Sequence, residues 1–364
     1  MHRFGASCDS LRGHAKYKRI PAKQERKKTT SRTMREQRFF LSSAECWYFE
    51  KGHSLLCLLF GVLLLLWTPI SAVAEDPAQP LRVVTYNLLH GGPLSGFKDD
   101  QSHLEVRLDM AIRELKALEP DIIALQEASQ SRRHGNVPER IARELGFHVV
   151  FAPATDRIFR FAPLDTLIVT LMGFKEGSAI LSRFPIVASE IFDLPRCQRR
   201  WEPRILLRAE MSTPWGGLQV FSTHVARGDQ CQMERVGQIV RDHRGSRLSL
   251  LMGDFNTPDS SKVLTALRDE IGLVDAFRAA NPNDPGPTVW QRIEVERPTV
   301  SRRVDFIFLF GGGESIGRVR SSRVVLDRPG SLPDGGPLWP SDHYGVFAEV
   351  DTNPAATARA AVGR

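Results

Sequence analysis

Asp254 and Asn256 stand two apart where an apolar run reaches a turn, in the stretch LLMGDFNTPDS. Residues two apart on an extended strand point the same way, so both side chains would address one cleft while Phe255 packs behind them. Asp and Asn are also ordinary turn residues, and the pair alone decides nothing. The habit recurs along the chain, however. VVTYN ends on Asn87, IIALQE on Glu127 and VFSTH on His224; RRVDFIF carries Asp305, and PSDHYGVF presents Asp342 and His343 before the last apolar run. Carboxylates beside buried strands are costly unless they are paired, metal-bound or solvated at an edge. Four acids, two amides and two histidines suit a hard divalent cation next to a phosphate. Mg²⁺ takes oxygen ligands and keeps several waters. A histidine can then handle a proton while the ion neutralises phosphate charge.

Each residue also has a plain reading. Asn87 could end a turn, His224 could be a hydrogen-bonded core histidine, and Glu127 could cap a helix or pair with an arginine. These readings weaken together, because all must hold while strand after strand repeats one pattern. No CxxC, HExxH or GxxxxGK[ST] occurs, so zinc fingers, zincins and P-loop chemistry lack support. The run GGG at 311–313 reads as a loop.

Elements that place these residues alternate between about residues 81 and 351. LRVVTYNL, DIIALQE, SAILSRF, RILLRAEM, LQVFSTHV, LSLLMGD, VDFIFLF and YGVFAEV read as strands. HLEVRLDMAIRELKALE reads as a helix with Leu104, Leu108, Ile112 and Leu115 on one face, and PERIAREL, QMERVGQIVRDHR and SSKVLTALRDE as further helices. RAEMSTPWGGLQVF predicts a hairpin turning on Trp215-Gly216-Gly217. Hairpins together with helical crossovers imply two packed sheets with helices outside.

The net charge of +7 is uneven: residues 1–53 hold 13 Lys/Arg against 5 Asp/Glu, leaving 36 against 37 for the rest. The basic character belongs to that arm, expected to be disordered or to reflect a mis-called start, and is poor evidence that the folded part binds nucleic acid. The run LLCLLFGVLLLLW at 55–67 has the length of a signal-peptide core, and Ala72 and Ala74 make an A-x-A pattern. Residues 54–74 therefore read as a signal peptide cleaved near Ala74, with export to the periplasm or outside. The alternative is an uncleaved anchor over 55–73. Residues 75–80 read as a linker, 81–351 as the catalytic domain and 352–364 as a disordered tail.

The ordered series TYNLLHGG, LQE, GSAILSRFPI, STHV, GDFN, RRVDFIF and SDHYGV resembles the endonuclease/exonuclease/phosphatase superfamily, the fold of deoxyribonuclease I, over most of residues 81–350. The resemblance implies an α/β fold: a four-layer sandwich of two mixed β-sheets packed face to face with helices outside. It implies a phosphoester hydrolase, most simply a phosphodiesterase or nuclease, using Mg²⁺ or Mn²⁺. By that resemblance Asn87 and Glu127 hold the metal with Asp342 in support. Asp254 and Asn256 orient water and phosphate, His224 hydrogen-bonds the phosphate, and Asp305 pairs with His343. A carboxylate behind an imidazole fixes its tautomer and raises its basicity. Abasic-site repair relatives often carry tyrosine where His224 stands.

The expected substrate is a phosphoester in nucleic acid, a phospholipid headgroup or a small diester. A sphingomyelinase-like lipid diesterase is the alternative in class. A non-catalytic phosphate-binding module is the alternative of another class. The chain is expected to be a monomer. Between FAPAT and GSAILS, the apolar insert DRIFRFAPLDTLIVTLMGFKE reads as a buried loop or extra strand. Otherwise residues 158–174 are an exposed lip for membrane contact. Cys197 and Cys231 flank the predicted hairpin at the end that carries His224, so a disulfide between them is expected.

Overall fold

All eight apolar runs read as strands pair in the computed structural model, which describes residues 79–90, 103–159, 161–197, 202–289, 292–311 and 318–352. The basic arm, the leader with its cleavage site, most of the linker and the tail from 353 onward lie outside the described residues. Val73–Arg364 forms a compact unit by itself. Among the described residues every buried apolar side chain of the core lies between Leu81 and Val350, inside that unit.

In chain order the unit opens with β1 (Leu81–Asn87), α1 (Leu104–Leu118), β2 (Ile122–Ser131), β3 (Gly135–Asn136), α2 (Val137–Leu145) and β4 (His148–Pro153). Next come a short 3-10 turn at Thr155–Arg157, α3 (Ala162–Met172), β5 (Phe174–Ser182), β6 (Ile186–Asp193), β7 (Ile205–Thr213) and β8 (Gly216–His224). Then follow α4 (Gln230–Asp242), β9 (Ser249–Asp254), α5 (Lys262–Ile271), β10 (Val274–Asp275), α6 (Ala276–Ala280) and β11 (Asp305–Phe310). The last elements are β12 (Val319–Val325), β13 (Gly330–Ser331), β14 (Pro337–Leu338) and β15 (Gly345–Val350).

One sheet runs β12-β15-β1-β2-β5-β4, with β3 on β2; the other runs β10-β11-β9-β8-β7-β6. Each is mixed: β1–β2 and β8–β9 are parallel and their other neighbours antiparallel. The inner faces meet through alternate residues, Leu81, Val83, Ile122 and Ile180 against Leu207, Ala209, Val220, Leu250 and Ile307. The faces turned outward are covered by α1 and α2 on one side and by α4 and α5 on the other. The four-layer α/β sandwich is thereby confirmed. Of the strands not foreseen, the three longer than two residues, β4, β6 and β12, are all sheet edges. β6 alternates half-buried with exposed residues and so lacks the apolar signature of the inner strands.

Two expectations are corrected. The hairpin turns on Pro214-Trp215, because Thr213 and Gly216 are already register partners. Gly216 opens β8 at φ 111°, a conformation suited to glycine. The insert is neither loop nor strand: residues 162–172 form α3, started by a proline in its first turn and stopped by Gly173 in the left-handed region. Apolar residues on its exposed as well as its buried side mask the helical period. Cys197 and Cys231 are joined, with Cα atoms 6.3 Å apart, tying the segment before β7 to the first turn of α4. Closing a loop of 34 residues' separation contributes on the order of 3–4 kcal/mol by loop entropy.

Candidate active site

Strand directions bring the polar residues to one edge of both sheets. β1, β8 and β9 deliver Asn87, His224 and Asp254 as their last residues. β11 runs antiparallel to β9, so its first residue, Asp305, is the partner of Asp254. β15 runs antiparallel to β1, so Asp342 and His343, just before it, lie beside Asn87. Glu127 interrupts β2: the pairing of β2 with β5 shifts register between Leu125 and Ala128, and Glu127 takes φ 49°. Such a bulge re-aims a side chain, and a positive φ on a non-glycine residue stores about 1–3 kcal/mol of strain. Asn256 is also left-handed, at φ 47°. Gly253 lets β8 and β9 approach at the same edge, since a Cβ there would lie 2.0 Å from the Thr223 carbonyl oxygen.

Asp254 is the centre. Its Oδ1 accepts from the Asn256 backbone N–H at 2.7 Å. Its Oδ2 accepts from Asn87 Nδ2 at 3.2 Å and Asn256 Nδ2 at 3.3 Å, and lies 3.3 Å from His224 Nε2 and 3.8 Å from His343 Nε2. Burial pushes the Asp254 carboxyl up to about 7, and the neighbouring Asp305 adds to the rise while His343 opposes it.

The two histidines are held in opposite states. His343 Nδ1 lies 2.9 Å from Asp305 Oδ2. Burial disfavours its charge, but the carboxylates of Asp305 and Asp254 outweigh this and raise its pKa to about 10. It therefore stands as an imidazolium between two carboxylates, with Nδ1 donating to Asp305 and Nε2 3.8 Å from Asp254 Oδ2. His224 Nδ1 faces Arg204 Nη1 at 2.7 Å. A guanidinium only donates, so this nitrogen accepts and a neutral ring carries its proton on Nε2, which lies 3.0 Å from Asn256 Nδ2 and 3.3 Å from Asp254 Oδ2. Burial, then the Arg204 charge, hold its pKa well below the usual histidine range.

Glu127 and Asp342 form the other flank. Glu127 Oε1 is 3.4 Å from Asn87 Nδ2, and its Oε2 is 3.3 Å from His90 Nε2. Asp342 is pushed up to about 6 by burial, with the Glu127 charge also raising it and His343 lowering it. Asp254 and Asp342, two buried carboxylates held above the usual range, mark negative charge that the side chains do not balance. An oxygen-only pair of acids beside an amide fits a hard divalent cation. Asp254, Asp305 and His343 also place ligand atoms within 4.8 Å of one another. Their proximity already follows from an imidazolium between two acids. Asn87 differs from expectation in detail: its nitrogen bridges Glu127 and Asp254, while its oxygen accepts from Leu89 N–H at 3.1 Å. Holding an ion with that oxygen requires the amide to turn over.

All eight residues singled out in the sequence thus stand at this edge. Others were missed. Arg204 immediately precedes β7, whose Leu206 pairs with Thr223, and so lies beside the end of β8. Extending the hairpin register by two residues would have found it. Arg107 is buried on α1 and donates to the carbonyls of Leu88, Leu89 and Pro340, fixing the loops that carry Asn87 and Asp342. Gln126 bridges the sheets through Ser222 Oγ at 3.3 Å. Neither contact has a local sequence signal.

A sequence model described as the Endonuclease/Exonuclease/phosphatase family matches residues 84–343. No curated protein matches the chain. Solved structures do. An endonuclease/exonuclease/phosphatase family protein from Bacteroides thetaiotaomicron is 18% identical with TM-score 0.57, covering 74% of this chain and 94% of its own. A mannosyl-6-phosphatase from B. thetaiotaomicron VPI-5482 is 19% identical with TM-score 0.55, covering 74% and 99%. A humanized D. rerio TDP2 is 18% identical with TM-score 0.53, covering 75% and 99%. At such identities the likeness is one of fold.

Proposed function

The chain belongs to the endonuclease/exonuclease/phosphatase family, hydrolases of phosphoester bonds, and from that premise we propose that it is a Mg²⁺- or Mn²⁺-dependent phosphodiesterase. The observation that carries the reading is Asp254: a buried carboxylate, ringed by donors, with a neutral histidine on one side and an imidazolium on the other. Glu127 and Asp342, with Asn87, would hold the cation, which supplies charge neutralisation to a phosphoryl oxygen. Asp254, positioned by Asn256 and Asn87, accepts the proton of the attacking water. His224 donates from Nε2 to a non-bridging phosphate oxygen, and Arg204 keeps that tautomer. His343, charged and backed by Asp305, donates to the oxygen on which negative charge develops. Export after cleavage near Ala74 is part of the same proposal. It is supported by the Cys197–Cys231 bridge, since such bonds persist in oxidising compartments.

Glu127→Gln keeps shape and removes one charge from the cation seat. The Mg²⁺ concentration for half-maximal turnover is expected to rise by at least about 10-fold, the scale on which disturbed metal shells lose affinity. Mn²⁺ affinity, read directly by electron paramagnetic resonance, should fall in parallel. In the parent protein that affinity should weaken as pH drops below about 6, because protons compete for Asp342. An unchanged metal titration in the variant would remove Glu127 from the site.

A further inference from the structure

The outward face of α3 carries no charge. Its one ionisable residue, Asp165, is buried and accepts from the Phe159 backbone N–H at 2.7 Å. Phe159, Phe161, Leu164, Leu167 and Leu171 are exposed, at 39%, 62%, 37%, 54% and 62%. Among the described residues these are five of the nine exposed large apolar side chains, so the exposure is a patch rather than scatter. Leu164, Leu167 and Leu171 recur at three- and four-residue spacing, a continuous stripe along the solvent side. Water alone does not favour such a helix, whose solvent face is ordinarily polar.

Cations bracket the stripe. Arg132 donates to the Thr170 carbonyl at the helix's carboxyl end, and Arg196 to the carbonyls of Arg157 and Ile158 at the other. Arg157 pairs with Asp193 at 2.7 Å and Lys175 with Asp156 at 3.0 Å, so the carboxylates beside the stripe are paired. The helix is also joined to the candidate active site through a buried contact. α3 passes through Gly173 into β5, where the Phe174 ring lies 5.2 Å from that of His90, itself beside Glu127.

We propose that α3 and its arginine rim dock the protein on an anionic phospholipid bilayer, with Phe161, Leu164, Leu167 and Leu171 entering the interface. An uncharged apolar stripe flanked by guanidiniums is complementary to acyl chains beneath negatively charged headgroups. A bilayer in that position adjoins the cleft, so headgroup phosphodiesters become the substrate class. That last step rests on the phosphodiesterase reading; the docking itself does not.

The test uses residues 75–364 and sedimentation with phosphatidylcholine vesicles, with and without phosphatidylglycerol. The parent should partition to the anionic vesicles, less so at high salt. L164S/L167S/L171S should lower that partitioning by at least about tenfold, given the apolar area withdrawn from the bilayer. Its melting temperature and its turnover of soluble bis-p-nitrophenyl phosphate should match the parent. V106S/V187S, which removes exposed apolar groups elsewhere, should bind as the parent does. If the triple variant loses stability, F161S carries the readout, since Phe161 precedes the helix. Equal binding by parent and stripe variants, or no binding by the parent, would overturn the proposal. So would light scattering that shows a parent dimer dissociated by the triple variant, since a second copy would then cover the stripe. Stripe-dependent vesicle binding without diester hydrolysis would sustain the docking and refute the phosphodiesterase reading.

Discussion

Asp254→Asn is expected to lower kcat on bis-p-nitrophenyl phosphate by at least about 10³-fold, within the range lost with a general base. The substitution preserves volume at a position with no exposure, so circular dichroism should show the fold intact. The loss should fall on kcat more than on KM, because a base acts only as the water attacks. The pH profile supplies an independent check. Burial holds the Asp254 carboxyl near 7, so the free protein must lose a proton there before the group can accept one. A bound cation favours that ionisation and moves the acid limb of kcat/KM below about 7. In the variant this limb should vanish. Turnover within about twofold of the parent would remove Asp254 from the chemistry, well outside the loss expected for a base.

The second large effect concerns the pair at the start of β11 and before β15. His343→Ala should lower turnover by about 10²- to 10⁴-fold, the scale of lost acid–base help. Asp305→Asn should approach the same value, since the Asp305 carboxylate keeps the imidazole charged and fixes its Nδ1 proton at 2.9 Å. The double variant should be no worse than the more damaging single one, because groups that act as a unit lose their effect together. Fully multiplicative losses in kcat would show that the two residues act separately.

The sequence made the site legible through a repeated local habit. A polar residue closing an apolar run survives translation into structure because a strand's last side chain is placed by its neighbours' alternation. Asn87, His224 and Asp254 end their strands as read. Glu127 was found for the right reason but not its pose, since a bulge and a positive φ turn it into the cleft. Arg107 and Gln126 were invisible because their roles are contacts across 233 and 96 residues of sequence, whereas Arg204 follows from extending the hairpin register. The fold was legible wherever a strand is buried on both faces, and failed at the edges. There β6 and β12 mix polar and apolar residues because one side meets solvent. The helix α3 was missed for the opposite reason: its exposed face carries large apolar side chains and no charge, so no charged residue marks the side away from the core.

The most direct measurement of the central claim is hydrolysis of bis-p-nitrophenyl phosphate by residues 75–364 after chelation with EDTA and gel filtration, followed by titration with Mg²⁺ or Mn²⁺. Turnover should be absent in the chelated protein and return in proportion to bound ion, reaching a plateau that p-nitrophenyl phosphate does not match. Turnover that persists undiminished after chelation would contradict the account, as would a folded, metal-saturated protein that cleaves neither ester.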